Sequence, residues 1–257
     1  MTLPADVSLP AELLAAIVHE ESLGELHVAL APAAMWRPRA RRRELTEQIA
    51  AEVARLGWRD RKGRLDAEVE ASLRVLCMPT VEYYGWLHDG ERTIGVLAAA
   101  IGNEAVLALR DGDTVWLNQL RGPSRLASSL VAQTPDVPPG HGGPLRVPQE
   151  ELAATRTDGR TRMPSGATLR RASHAARTAR QLMDQPVYGT GELHTAIRDH
   201  LGRRQQAEPP VTYTDTASGR YTSAVTTTSG ESFIEIAPAT REDLIRRLHT
   251  AHEQLTR

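Results

Sequence analysis

Cysteine is almost missing from this chain: Cys77 is the only one in 257 residues. A single thiol makes no intrachain disulfide and no thiolate metal cluster. Phenylalanine is as scarce, with Phe233 alone, and aromatics total 4 %. The core must therefore be built mostly from Leu, Val, Ile and Ala. Lysine occurs once, as Lys62, and arginine supplies the rest of the basic charge. That bias suits a GC-rich genome such as an actinobacterium's and says nothing of the fold. Net charge is −1, so no overall field favours nucleic acid or anionic lipid. The longest apolar run, residues 96–101, is far too short to cross a bilayer. Asp6 and Glu12 stand where a signal peptide needs a cationic region and then an apolar run. The expected location is the cytoplasm.

What is present is an ordinary soluble balance, 40 % hydrophobic and 25 % charged. The length allows one large domain or two small ones, with a real core. The clearest pattern runs over residues 79–120, which read as a four-stranded antiparallel meander. Its turns are Asp89-Gly90, Gly102-Asn103 and Asp111-Gly112, pairs suited to hairpin turns. Its strands are 81–88, 93–101, 105–110 and 114–118. The first carries bulky residues on both parities, so both faces should touch something. A second copy of the last strand and its helix is expected late in the chain. Gly112/Gly230, Val115/Phe233, Trp116/Ile234, Leu126/Leu244 and Leu130/Leu248 match at one constant offset.

Around the meander, residues 7–9 suggest an edge strand, followed by a helix whose buried face is Leu13, Leu14, Ile17 and Val18. Residues 25–36 read as loop. Helices are expected at 39–56, stopped by Gly57, and at 64–76, stopped by Pro79. Pro123 opens another at 124–132. Residues 135–148, with five prolines, read as loop, then a helix at 149–154. Residues 155–165 are polar enough to lack order, and 167–183 is helical. Strands follow at 187–189, 192–200, 210–214, 219–226 and 232–236, with 202–208 an exposed connection. Thr240 caps a closing helix to Leu255, with Asp243 three residues on. The halves are 1–134 and 166–257, joined by 135–165 within a single domain.

No catalytic constellation emerges. Arg37-Pro38-Arg39-Ala40-Arg41-Arg42-Arg43 is the sharpest charge feature, but Glu44 and Glu47 follow and no aromatic platform stands beside it. It reads as a solvated helix start, with a nucleic-acid adaptor as the alternative. His249-x-x-His252-Glu253 lacks a third metal ligand. Asp215-Thr216-Ala217-Ser218-Gly219 resembles half of an aspartic-protease pair, whose chemistry needs two copies. A hydrolytic site around Asp215 and the histidines is the enzymatic alternative. Gly189-Thr190-Gly191 opens no helix and makes no phosphate loop. Gly140-His141-Gly142-Gly143 has no nucleophile elbow to serve. Cys77, before a proline at a helix end, reads as a small core residue.

Several stretches together resemble the EspG family, cytosolic chaperones of type VII (ESX) secretion. They are Leu56-Gly57-Trp58 with Gly63-Arg64-Leu65, the helix and proline at 71–79, the meander at 85–120, and Gly189-Thr190-Gly191-Glu192-Leu193. Above all there is Tyr213-Thr214-Asp215-Thr216-Ala217-Ser218-Gly219-Arg220-Tyr221, and then Ile236-Ala237-Pro238-Ala239. The resemblance implies an α+β fold: a central antiparallel sheet flanked by two helical bundles, with a quasi-two-fold internal repeat. It also implies a non-enzymatic protein without a cofactor that binds the helical tip of secreted PE–PPE heterodimers. Such a greasy tip needs cover, and a sheet beside a bundle offers a groove. This chain departs from the family in its tight turn at residues 88–92, its Arg-rich segment and its long 135–165 connection. A WxG-type helical client is therefore also expected. The candidate partner-binding residues are Trp86, His88 and Arg92 near that turn, with Tyr221 and Phe233 in the second half.

Overall fold

The computed structural model describes residues 7–32, 39–60, 62–154 and 173–257. The polar segment 155–165, the start of the expected 167–183 helix, and Arg37 and Pro38 of the basic run lie outside the described residues. Chain order is β1 (Val7–Pro10), α1 (Ala11–Glu20), α2 (Arg39–Arg55), α3 (Ala67–Val75), β2 (Val81–His88), β3 (Thr93–Ile101), β4 (Glu104–Asp111), β5 (Thr114–Leu120) and α4 (Leu126–Val131). It continues with β6 (Leu145–Pro148), α5 (Gln149–Ala154), α6 (His174–Met183), β7 (Val187–Arg198), β8 (Arg204–Gln206), β9 (Val211–Thr216), β10 (Gly219–Thr228), β11 (Glu231–Pro238) and α7 (Arg241–Leu255).

The strands form one 11-stranded sheet in the order β1-β5-β4-β3-β2-β7-β9-β10-β11-β6, with β8 beside β7. All the strand pairings are antiparallel. Two-residue turns set most of the hairpins. At the β10–β11 turn, Ser229 and Gly230 both have positive φ, 52° and 83°, as a primed turn requires.

Strand alternation gives the sheet two faces. On the first face Tyr84, Leu97, Ala99, Val106, Ala108, Val115 and Leu117 pack under α1, α2 and α3, with Leu14, Ile17, Val53, Trp58 and Leu73 fully buried. The same face carries Tyr221, Ile236 and Val147 at its other end, under Leu152 of α5 and Ala176 and Ala179 of α6. On the second face Tyr83, Leu87, Ala98, Leu107, Leu193 and Tyr213 meet Leu126 and Leu130 of α4 and Leu244 and Leu248 of α7. This is the expected α+β arrangement.

Several expectations change. Residues 187–198 are one strand, β7, because Gly189 and Gly191 leave room rather than break it. The Tyr213 ring lies where a Cβ on Gly191 would project. Two stretches expected as loop or connection contain strands: β6 closes the sheet edge on β11, and β8 pairs with β7. Helix α3 starts later than expected, because the Asp66 side chain accepts from the Glu68 amide as N-cap. Ser173 caps α6 in the same way, so that helix begins at His174.

Each meander ends beside a short edge strand from earlier in the chain, β5 on β1 and β11 on β6, the latter within the 135–165 connection. The hairpin turns, however, place Gly112-Asp113 opposite Ser229-Gly230, one residue off the offset read from sequence. Cross-strand registers put Trp116 and Phe233 on the second face, and Leu117 and Ile234 on the first. The expected pairs Val115/Phe233 and Trp116/Ile234 therefore join opposite faces.

Candidate partner-binding groove

Between the two helix groups the first face lies open. One cross-strand row runs Trp86, Glu192, Thr212, Ser223, Ile236, and the next runs His88, Thr190, Thr214, Tyr221, Pro238. Threonine suits such a floor: its branched side chain fits a pleated strand, and its hydroxyl tolerates water. Beyond β9 the floor deepens into a groove of about 520 Å³ between the C-terminal end of α6 and strands β9, β10 and β11. Its walls include Leu182, Met183, Val187, Pro209, Pro210, Tyr221, Val225, Ile234 and Ile236, and no lining residue carries a formal charge. Met183, Val187 and Val225 are 52 %, 50 % and 58 % exposed. Large apolar side chains grouped at one groove mark a surface that gains by being covered.

A buried polar cluster borders the floor on the N-terminal side. Glu82, 2 % exposed, takes a 2.5 Å hydrogen bond from Arg204 Nε of β8. The His27 imidazole approaches the same carboxylate at 3.5 Å. Burial, reinforced by Arg204, lowers the His27 pKa to about 4, and burial raises that of Glu82. Tyr84 donates to Gln206 Oε1 at 2.5 Å and stacks on His194 at 4.8 Å. His194 Nε2 lies 2.8 Å from Glu192, yet misaligned, so it makes no hydrogen bond. These contacts tie β8 down and fix the floor's boundary.

The five residues expected from sequence do not converge. Trp86 is on the first face at the near rim, edge-on to Tyr84 and His194. His88 is exposed at the end of β2 and contacts the Thr93 hydroxyl at 3.2 Å. Arg92 is clamped in the β2–β3 turn between Asp89 and Asp111. Tyr221 lines the groove but is held there, donating to the His141 carbonyl at 2.9 Å; its ring occupies the space a Cβ on Gly140 would need. Phe233 lies on the second face, with the Arg146 guanidinium 3.8 Å from its ring centre. Only Trp86, His88 and Tyr221 share the open face. Leu182, Met183, Val187 and Val225 were not among the expected residues. Their signal in sequence is only an apolar helix end followed by Pro186 and a short strand start.

Asp215 is spoken for. Arg220, fully buried, holds it through two 2.7 Å hydrogen bonds. The same guanidinium reaches the Thr134 hydroxyl and the Pro135 carbonyl, each at 3.0 Å. The histidines are spread over separate elements. His194 is on the first face, while His249 and His252 flank Tyr83 on the second, His252 half-buried there. Asp215 and these imidazoles form no common pocket. Among the described residues no group of three or more His, Cys, Asp or Glu is placed to hold a metal, and no helix is long and apolar enough to cross a membrane.

The model of the EspG family matches residues 10–250. Among solved structures, the Mycobacterium tuberculosis type VII secretion system chaperone EspG5, in complex with a PE25–PPE41 dimer, is similar in fold, with a TM-score of 0.67. Identity is 16 %, over 97 % of this chain and 96 % of that one. No curated protein matches.

Proposed function

This chain belongs to the EspG family, and from that premise we propose that it is a non-enzymatic cytosolic chaperone for helical type VII secretion substrates. It covers the apolar tip of a PE–PPE-like heterodimer, keeps the pair soluble and presents it for export. The observation that carries this reading is the uncharged groove at Met183, Val187 and Val225, open between two helix groups on one sheet face. A helix tip brings apolar side chains and few charges, and such a groove takes them without stranding a buried ion. The chemistry asked of the protein is burial alone, so no cofactor enters.

Trp86 and His88 stand at the near rim of that surface and are proposed as secondary contacts, with Tyr221 as part of the floor. Arg92 and Phe233 are proposed to act only indirectly, by stiffening the β2–β3 turn and the β11 face. A WxG-type helical hairpin is the second client considered. What favours it is that turn: four residues, locked by Arg92 to Asp89 and Asp111, too short to wrap a large guest.

Co-expression with PE–PPE pairs and with WxG-type proteins tests the proposal. A soluble complex is expected with the PE–PPE class. Met183→Glu is expected to abolish it while leaving the thermal midpoint of the free protein unchanged, since Met183 is half exposed. A complex unaffected by that charge, or none with either class, overturns the reading.

A further inference from the structure

The sheet contains an internal open edge. Strand β10 pairs with β11 from Tyr221 with Pro238 as far as Thr228 with Glu231. Its pairing with β9 stops at Ser223 with Thr212. The next residues before β9 are Pro209 and Pro210, which have no amide hydrogen to offer, and β8 pairs only with β7. Among the described residues, no strand therefore lies on the β9 side of residues 224–228.

The free groups follow from alternation. Two-residue turns close Thr216 with Gly219 on one side and Thr228 with Glu231 on the other. Thr212 Oγ1 donates to the Ser223 carbonyl, so Ser223 faces β9. By parity the N–H and C=O of Val225 and Thr227 face the gap. The outer edges of the sheet are treated differently. β1 and β6 are each four residues long and end in proline, and β6 carries Arg146. Short length, proline and charge are how edges are protected from strange strands. The stretch Ser-Ala-Val-Thr-Thr-Thr at 223–228 has neither proline nor charge.

We propose that this edge accepts an extended segment of the client as an added strand. Backbone donors and acceptors at strand spacing are matched in full only by another backbone. Alternate side chains of the added strand enter the groove beside Val225. The others face a cleft on the second face, walled by Arg246, Arg247, Glu208 and Glu235, so polar residues of mixed sign fit there. The inference rests on the chaperone reading for the identity of the guest. Its test does not.

The probe is a blocked nine-residue peptide with valine at odd positions and alternating lysine and glutamate at even ones, titrated against the full chain. Saturation is expected to slow hydrogen exchange at the Val225 and Thr227 amides at least tenfold. A peptide N-methylated on the edge-facing residues is expected to bind at least tenfold more weakly. Thr227→Pro is expected to weaken the unmodified peptide to the same degree, because it removes a gap-facing N–H and none from the β11 ladder. Equal binding of the methylated peptide overturns the inference, whatever Thr227→Pro does to folding. So does absence of binding at millimolar peptide. If a PE–PPE pair binds and Met183→Glu releases it while Thr227→Pro does not weaken it, groove docking stands and strand addition falls.

Discussion

At the scale of single residues, the Asp215–Arg220 pair governs the centre of the second half. Both side chains are almost wholly buried, and every guanidinium nitrogen has an acceptor. Removing one partner strands the other without water. Arg220→Met is expected to cost about 3–5 kcal/mol in urea unfolding, and Asp215→Leu with Arg220→Met together to recover most of it. This pair was not legible in sequence, where a charged residue in a strand reads as exposed. Its role only appears once Thr134 and Pro135 are folded against it. His27 carries a pH prediction. Its folded pKa, about 4, is below the ordinary imidazole value of 6.5, so unfolding takes up a proton between those values. The stability that neutral His27 allows is complete above pH 6.5 and falls as pH drops towards 4, by on the order of 3 kcal/mol. Glu82, with its pKa raised, works the other way as pH rises. The check is therefore a difference: the slope of urea midpoint against pH should be shallower in His27→Gln than in the native protein over that window.

At the scale of elements, legibility tracked how much local pattern each element carries. The meander of β2 to β5 was visible because glycine-bearing turns punctuate strands of ordinary length. Helix α7 was visible because Thr240 and Asp243 form a capping box ahead of a regular apolar stripe. Thr240→Ala is expected to cost about 1 kcal/mol, lowering the thermal midpoint by about 2–4 °C for a chain of this size. Strand β6 was hidden: four residues inside a proline-rich stretch carry too little alternation, and only its partner β11 gives it a reason to exist. β7 reads as two strands because its glycines look like breaks, whereas Gly191 makes room for the Tyr213 ring. The groove was illegible for a related reason. Periodicity reports which side of α6 is apolar, not that its end at Met183 overhangs the sheet half exposed.

At the scale of the whole molecule, we propose that the two halves form one cooperative unit although each meander ends beside its own edge strand, and that a superposition pairing Trp116 with Phe233 would bring out the quasi-two-fold relation. β2 and β7 pair over eight residues at the junction. The core of the second face mixes both halves: Tyr83, Leu87, Ala98 and Leu126 pack with Leu193, Tyr213, Leu244 and Leu248. Cutting between the halves would bare this layer and leave β2 with an open edge eight residues long. Residues 1–134 alone are therefore expected to aggregate or remain unfolded. The intact chain offers a clean check, because all four tryptophans, at 36, 58, 86 and 116, lie in the first half. Tryptophan fluorescence reports that half, while far-ultraviolet circular dichroism reports both. One unit requires the two transitions to coincide in urea. A fluorescence midpoint separated from the dichroism midpoint would mean that the halves melt independently. The groove, built almost wholly from second-half residues, would then be a property of that lobe alone.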